Sequence, residues 1–149
     1  MINMPMNEFI FVDTWAFLAL ANINDNYHSI ALGVYKGMHE KGCRIVTSDY
    51  VLDEAITALF KNAKFDGASQ FIEALLGAIN IGQIALERID EDRFSEAWLL
   101  RKIYQDKPDI SFTDLTSFVI MRELDIHKAF TGDRHFTQTG LGFEILPGI

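Results

Sequence analysis

Short runs of β-branched and aromatic residues alternate along this chain with longer segments whose apolar residues recur at helical spacing, which leaves few architectures open. The runs are Ile10-Phe11-Val12, Arg44-Ile45-Val46-Thr47, a weaker one from Gln83 to Ile89, Ala129-Phe130-Thr131, and Phe143-Glu144-Ile145-Leu146. Between them lie a short apolar helix (Trp15, Phe17, Leu18, Leu20) and a helix from about His28 to Lys41 carrying Ile30, Leu32, Val34, Tyr35 and Met38, with Gly42 as its stop. Another helix opens at Ser48 or Asp49, with a stripe of Val51, Leu52, Ala55, Ile56 and Leu59. Further helices run from about Phe65 to Ile79 with Phe71, Ile72, Leu75 and Leu76 inward, from Asp90 to Gln105 around Phe94, Ala97, Trp98, Leu99 and Leu100, and from Ser111 to Leu124.

The order β-α-α-β-α-α-β-α-α-β-β predicts an α/β fold, with a largely parallel sheet covered by helices on both faces. A length of 149 residues suits one domain spanning 1–149. Cys43 is the single cysteine, so no intrachain disulfide forms and no Cys/His cluster has zinc-ligand spacing. Residues 1–11 lack the basic region and apolar core of a signal peptide, and no apolar run reaches membrane-spanning length, so a soluble cytoplasmic protein is expected. A net charge of −8 disfavours non-specific adhesion to nucleic acid or an anionic membrane, unless several acids converge on a metal ion that neutralises them.

Asp13 is the one acid in an otherwise apolar stretch, at the junction between the first strand and its helix. In open α/β sheets such junctions face the crevice where ligands bind. The plainer reading is that Asp13 or Thr14 caps the helix. Asp133 likewise follows the strand Ala129–Thr131, although Gly132-Asp133 also suits an ordinary turn. In the helix beginning near Asp49, Asp53 and Glu54 lie about equally far to either side of the apolar stripe, and periodicity does not choose between them. Acids near a helix amino terminus are favoured in any case by the macrodipole. Asp114, in Ser111-Phe112-Thr113-Asp114, has the form of a capping box with Asp in the usual place of Glu or Gln.

Phe11-Val12-Asp13-Thr14, Thr47-Ser48 with Val51-Leu52 and Glu54, Ser111-Phe112-Thr113-Asp114, and Thr131-Gly132-Asp133-Arg134-His135-Phe136 stand in the order found in PIN-domain nucleases. The chain resembles that family over nearly its whole length, and its size resembles the VapC-type toxins of toxin–antitoxin pairs. The resemblance implies a three-layer α/β/α sandwich and a metal-dependent ribonuclease site formed by Asp13, Glu54, Asp114 and Asp133, favouring Glu54 over Asp53. It further implies that Thr131, with Thr14 or Ser48, orients carboxylates or bound water. Many relatives carry another acid one helical turn after the third Asp. Here Leu115 to Phe118 offers none, which implies a second ion less firmly held.

Two carboxylates 4 Å apart repel by roughly 4 kcal/mol at an effective dielectric of 20, so a quartet needs a cation. Oxygen ligands with no His or Cys nearby select Mg²⁺ or Mn²⁺. Such an ion acts on a phosphodiester as Lewis acid and activates water, which makes hydrolysis of RNA the expected reaction. Arg134 and His135, beside Asp133, are candidates for contact with phosphate. Lys61, Lys64, Arg101 and Lys102 extend a positive surface or form ordinary charged helix faces. His28, His39 and His127 lack ligand spacing, and Trp15, Phe17, Phe60, Phe65 and Phe71 read as core. Surplus apolar helix surface would be covered by an antitoxin segment or a second copy of the chain.

Two other classes compete. An aspartyl-phosphate phosphatase requires Asp-x-Asp, and Asp13 is followed by Thr14 and Trp15. A catalytically inactive PIN-fold module that binds RNA or protein would keep the fold and use the acids as caps.

Overall fold

The computed structural model describes residues 8–148. The reading of the first residues as lacking a leader falls largely on residues 1–7, outside that range. Five strands form one sheet: β1 (Phe9–Val12), β2 (Arg44–Ser48), β3 (Ile84–Glu87), β4 (Lys128–Thr131) and β5 (Glu144–Pro147). Their order across the sheet is β3-β2-β1-β4-β5, and every neighbouring pair is parallel. Six α-helices connect them: α1 (Thr14–Ala21), α2 (His28–Glu40), α3 (Asp49–Asn62), α4 (Phe65–Asn80), α5 (Glu91–Ile103) and α6 (Phe112–Glu123). Residues 132–143 join β4 to β5 through a 3₁₀ turn, Arg134–Thr137.

Ile10, Phe11 and Val12 are each at most 2% exposed, as are Ala129, Phe130 and Thr131. Successive strand residues point to opposite faces, so burial of three in a row requires cover on both sides. The result is the three-layer α/β/α sandwich. No helix of the described residues is long and apolar enough to cross a membrane.

The strand order places the site. From β1 the chain winds outward through β2 to β3, then returns to the other side of β1 as β4. The gap between β1 and β4 is therefore the topological switch point, where the segments leaving the two strands part in opposite directions. Asp13 directly follows β1, and Thr131 ends β4.

Helix α6 is buried all round, from Asp114 to Met121. Its inward polar groups are satisfied locally: Thr116 and Ser117 donate their hydroxyls to the Thr113 carbonyl at 2.6 and 3.1 Å. Arg93 of α5 ties this helix to the sheet, pairing with Glu87 of β3 at 2.9 Å and with Glu123 of α6.

Several residues lie elsewhere than their helical spacing predicts. The buried residues of α5 are Ala97 and Leu100, whereas Phe94, Trp98 and Leu99 are about half exposed. Phe65 is 72% exposed at the first turn of α4, and Leu76, Ile30 and Tyr35 face outward. Arg101 forms neither a charged face nor a positive surface. Its guanidinium donates to the carbonyls of Ile110, Tyr104 and Lys107 at 2.6, 2.7 and 2.8 Å, folding the segment that leads into α6 around itself. His28 is structural, its Nδ1 lying 2.9 Å from the Ala19 carbonyl where α2 begins.

Candidate active site

At the carboxyl ends of β1 and β4 opens a cleft of about 450 Å³, lined by Asp13, Thr14, Trp15, Leu18, Glu54, Asp109, Ser111, Asp114, Asp133 and His135. Four acids that are distant along the chain meet there, each delivered by a different element. Asp13 is 3% and Asp114 4% exposed, while Glu54 and Asp133 are partly buried. Asp53, the rival of Glu54 on the helical wheel, is exposed and does not line this cleft; it lines a neighbouring depression with Lys61 and Thr113, which Glu54 also borders.

Asp13 precedes α1 but makes no side-chain capping bond. Its Oδ2 accepts the Thr131 hydroxyl at 2.9 Å, and its buried Oδ1 has no hydrogen-bond partner among the described residues. Thr131 Oγ1 also accepts the Asp133 N–H at 3.0 Å, so one hydroxyl sets the Asp13 carboxylate and the backbone that presents Asp133. At α6 the cap is Ser111, whose Oγ accepts the Asp114 N–H at 3.0 Å. The Asp114 carboxylate faces the cleft. Ser48 caps α3 by accepting the Val51 N–H at 3.1 Å, and so supports the helix that carries Glu54. Thr14 Oγ1 is buried without a partner at the cleft wall.

His135 corrects the expectation that no imidazole stands near the acids. The 3₁₀ turn begins where Asp133 Oδ1 accepts the His135 N–H at 2.9 Å. That turn brings His135 Nδ1 to 3.1 Å from Asp133 Oδ1 and 3.5 Å from Asp114 Oδ2, although Nδ1 is not aligned for a hydrogen bond. One ligand atom from each of Asp114, Asp133 and His135 lies within 4.8 Å of the others, a spacing that could hold a metal ion. Arg134 is exposed and lines a depression with Trp15, Tyr27, Ile30 and Gly132 rather than the acidic cleft. Asp109 and Trp15 line the cleft and had no sequence motif of their own. Asp109 lies two residues before the Ser111 cap, and Trp15 two residues after Asp13.

The electrostatics follow from crowding. Burial pushes the Asp13 carboxyl from its ordinary 3.8 up to about 7, against the opposing Thr131 bond, with the charges of Asp133 and Glu54 adding to the rise. Burial, followed by the charges of Asp13 and Asp133, pushes Asp114 up to about 9. Near neutral pH the cluster holds protons that isolated carboxylates release. A cation would displace them.

The chain matches the PIN domain family over residues 10–141. It is 31% identical over 133 residues to the 23S rRNA-specific endonuclease VapC20 of Mycobacterium tuberculosis, covering 88% of this chain and 94% of that protein. The crystal structure of M. tuberculosis VapC20, described as a Sarcin-Ricin loop cleaving toxin, superposes with a TM-score of 0.74 at 30% identity over 88% of this chain and 95% of that one. The structure of VapBC2 from Rickettsia felis, bound to a DNA fragment from their promoter, shares the fold with a TM-score of 0.69 at 14% identity, covering 92% of this chain and 98% of that one. Sequence and architecture agree: the chain belongs to the PIN-domain family, among its VapC-type members.

Proposed function

We propose that this protein is a metal-dependent endoribonuclease that hydrolyses RNA phosphodiester bonds at Asp13, Glu54, Asp114 and Asp133, and that it is the toxin of a toxin–antitoxin pair. The observation that carries the reading is Asp13: a buried carboxylate oxygen without a hydrogen-bond partner among the described residues, on a residue that lines a cleft with four further acids, Glu54, Asp109, Asp114 and Asp133. An unpaired buried acceptor is costly unless a ligand satisfies it. The donor set of carboxylate oxygens fits a hard divalent cation, Mg²⁺ or Mn²⁺.

Asp13, Asp114 and Asp133 would hold the ion, with Glu54 at the cleft wall. When bound, the cation neutralises the carboxylates and supplies Lewis acidity toward a phosphodiester and toward water. Thr131 keeps the Asp13 carboxylate in one orientation through its hydroxyl. His135, beside Asp133 and Asp114, is placed to contact a phosphate oxygen or to join the ligand set. Deep burial of Asp13 and Asp114 keeps bulk water from solvating their charge, which strengthens their hold on a cation.

The relative VapC20 is named for action on 23S rRNA, so large-subunit rRNA belongs in the substrate panel. A nuclease that acts on RNA in its own cell must be held in check. A groove of about 280 Å³ lined by Phe17, Leu20, Leu32, Tyr35, Phe71 and Leu75 offers an antitoxin segment an apolar seat. The test is RNA cleavage by the purified chain with Mg²⁺, with EDTA, and as Asp13→Asn. Loss of cleavage with both chelator and substitution is expected. RNA binding without cleavage under every condition would instead favour an inactive binding module.

A further inference from the structure

A second depression opens beside the acidic cleft and shares a wall with it. It encloses about 530 Å³ and is lined by Trp15, Tyr27, Ile30, Gly132 and Arg134. Trp15 is the common wall, since it also lines the cleft that holds Asp13 and Asp133. Tyr27 is 43% and Ile30 42% exposed, and Arg134 is exposed. The Trp15 and Tyr27 rings stand 5.4 Å apart at 50°, an open angle of two aromatic surfaces.

The arrangement is fixed before any ligand arrives. Asp25 Oδ1 accepts the Tyr27 N–H at 2.8 Å, holding Tyr27 at the start of α2. Phe130 meets Trp15 edge-on at 6.5 Å from beneath. Gly132 lets the indole lie against the backbone, because a Cβ there would fall 2.6 Å from Trp15 Nε1. A chain of net charge −8 gains little affinity for RNA from diffuse electrostatics, so contacts of another kind must contribute. Aromatic faces supply such contacts, because every nucleobase presents a π-face.

We infer that this depression is a nucleobase pocket: a base flanking the phosphate in the acidic cleft rests against Trp15 and Tyr27, and Arg134 pairs with the backbone phosphate beyond it. The inference rests on the nuclease reading and adds to it where the strand lies, on the Trp15 side of the acids. Arg134 thus acts on the strand outside the reacting centre, as a guanidinium suited to phosphate.

The chain has two tryptophans, so a full-length Trp98→Phe protein reports on Trp15 alone. Titration with a short random-sequence oligoribonucleotide in Ca²⁺ is expected to quench that emission. The same backbone carrying abasic sites is expected to bind about tenfold more weakly, without quenching. Tyr27→Ala weakens binding of the intact oligonucleotide about tenfold, and Tyr27→Phe restores it. Unchanged Trp15 emission on binding, or equal affinity for intact and abasic strands, overturns the pocket. A parallel cleavage assay in Mg²⁺ separates the two levels. Cleavage by the unsubstituted chain, with Tyr27→Ala binding RNA as tightly as Tyr27, removes the pocket alone. Absence of both binding and cleavage removes the nuclease reading and the pocket with it.

Discussion

Thr131 donates its hydroxyl to Asp13 Oδ2 at 2.9 Å, joining the central strand β1 to its neighbour β4 immediately beyond their last paired residues, Val12 and Phe130. Groups that orient a ligating carboxylate typically change metal affinity by about 10–100-fold when removed. Thr131→Val keeps the shape and deletes the donor. It is expected to weaken Mg²⁺ binding, measured by calorimetry, by that factor, and Thr131→Ser is expected to restore most of it. Equal affinities for Thr131 and Thr131→Val would show that the bond does not position the site.

The raised carboxyls of Asp13 and Asp114 link stability to pH. Both titrate higher in the folded state, at about 7 and about 9, than the ordinary 3.8 of the unfolded chain. The folded form therefore holds protons that the unfolded form releases, and stability is lost as pH rises from 3.8 through those folded values. In EDTA, urea unfolding is expected to show a loss on the order of a few kcal/mol between mildly acidic and alkaline pH. Asp13→Asn should flatten the curve, and saturating Mg²⁺ should do the same for the unsubstituted chain. A metal-free protein that gains stability over this range would contradict the sign.

Gly132 is required by its neighbour. Any side chain there collides with Trp15, whose indole is already set by Tyr27 and Phe130. Gly132→Ala is expected to cost about 1–3 kcal/mol through overpacking and to shift the near-ultraviolet circular dichroism as the indole moves. Adding Trp15→Phe should recover part of the loss by removing the atoms that clash.

Arg93 links three elements, and its side chain is only 13% exposed. Arg93→Met leaves Glu87 and Glu123 without their cation and is expected to destabilise the fold by about 1–3 kcal/mol in urea unfolding. Mg²⁺ affinity should hold, because Glu123 lies nine residues beyond Asp114 along α6, about 13 Å at the helical rise. A loss of metal binding with stability intact would reveal coupling along α6.

His135 introduces a softer donor among hard oxygens. Imidazole raises affinity for first-row transition ions more than for Mg²⁺. His135→Ala is therefore expected to narrow the preference for Mn²⁺ over Mg²⁺ in competitive binding. An unchanged ratio would exclude the imidazole from the ligand set.

The architecture was legible because β1 is apolar at consecutive positions, which a chain tolerates only inside a sheet covered on both faces. The other four strands also stand where the runs predict, within one residue at their ends, or two at the end of the weak run Gln83 to Ile89. Their order across the sheet was not legible, because right-handed parallel crossovers are compatible with several orders. The acids could be assigned to junctions, but the choice between Asp53 and Glu54 needed the tilt of α3 against its neighbours, which the wheel omits. His135 was read beside Asp133 as a phosphate contact, but its approach to Asp114 was not legible, because it comes through a single 3₁₀ turn too short to leave a periodic signal. Arg101 looked like a solvated charge because its partners are backbone carbonyls, which have no sequence identity. On α5 the large residues suggested the buried face, yet only Ala97 and Leu100 of that set are buried, and Phe94, Trp98 and Leu99 stand about half exposed. Close helix approach favours the smaller side chain.

Asp13 and Asp133 follow the central strand β1 and its neighbour β4, Glu54 stands on α3, and Asp114 opens the buried stretch of α6. Fraying at β3 is separated from Asp13 by β2, whereas β5 pairs with β4 and packs on the turn after Asp133, so the cleft should keep its shape until β4 and the centre of the sheet give way. Inactivation by heat or denaturant would then coincide with global melting, and any milder control of the protein must work by covering the opening from outside.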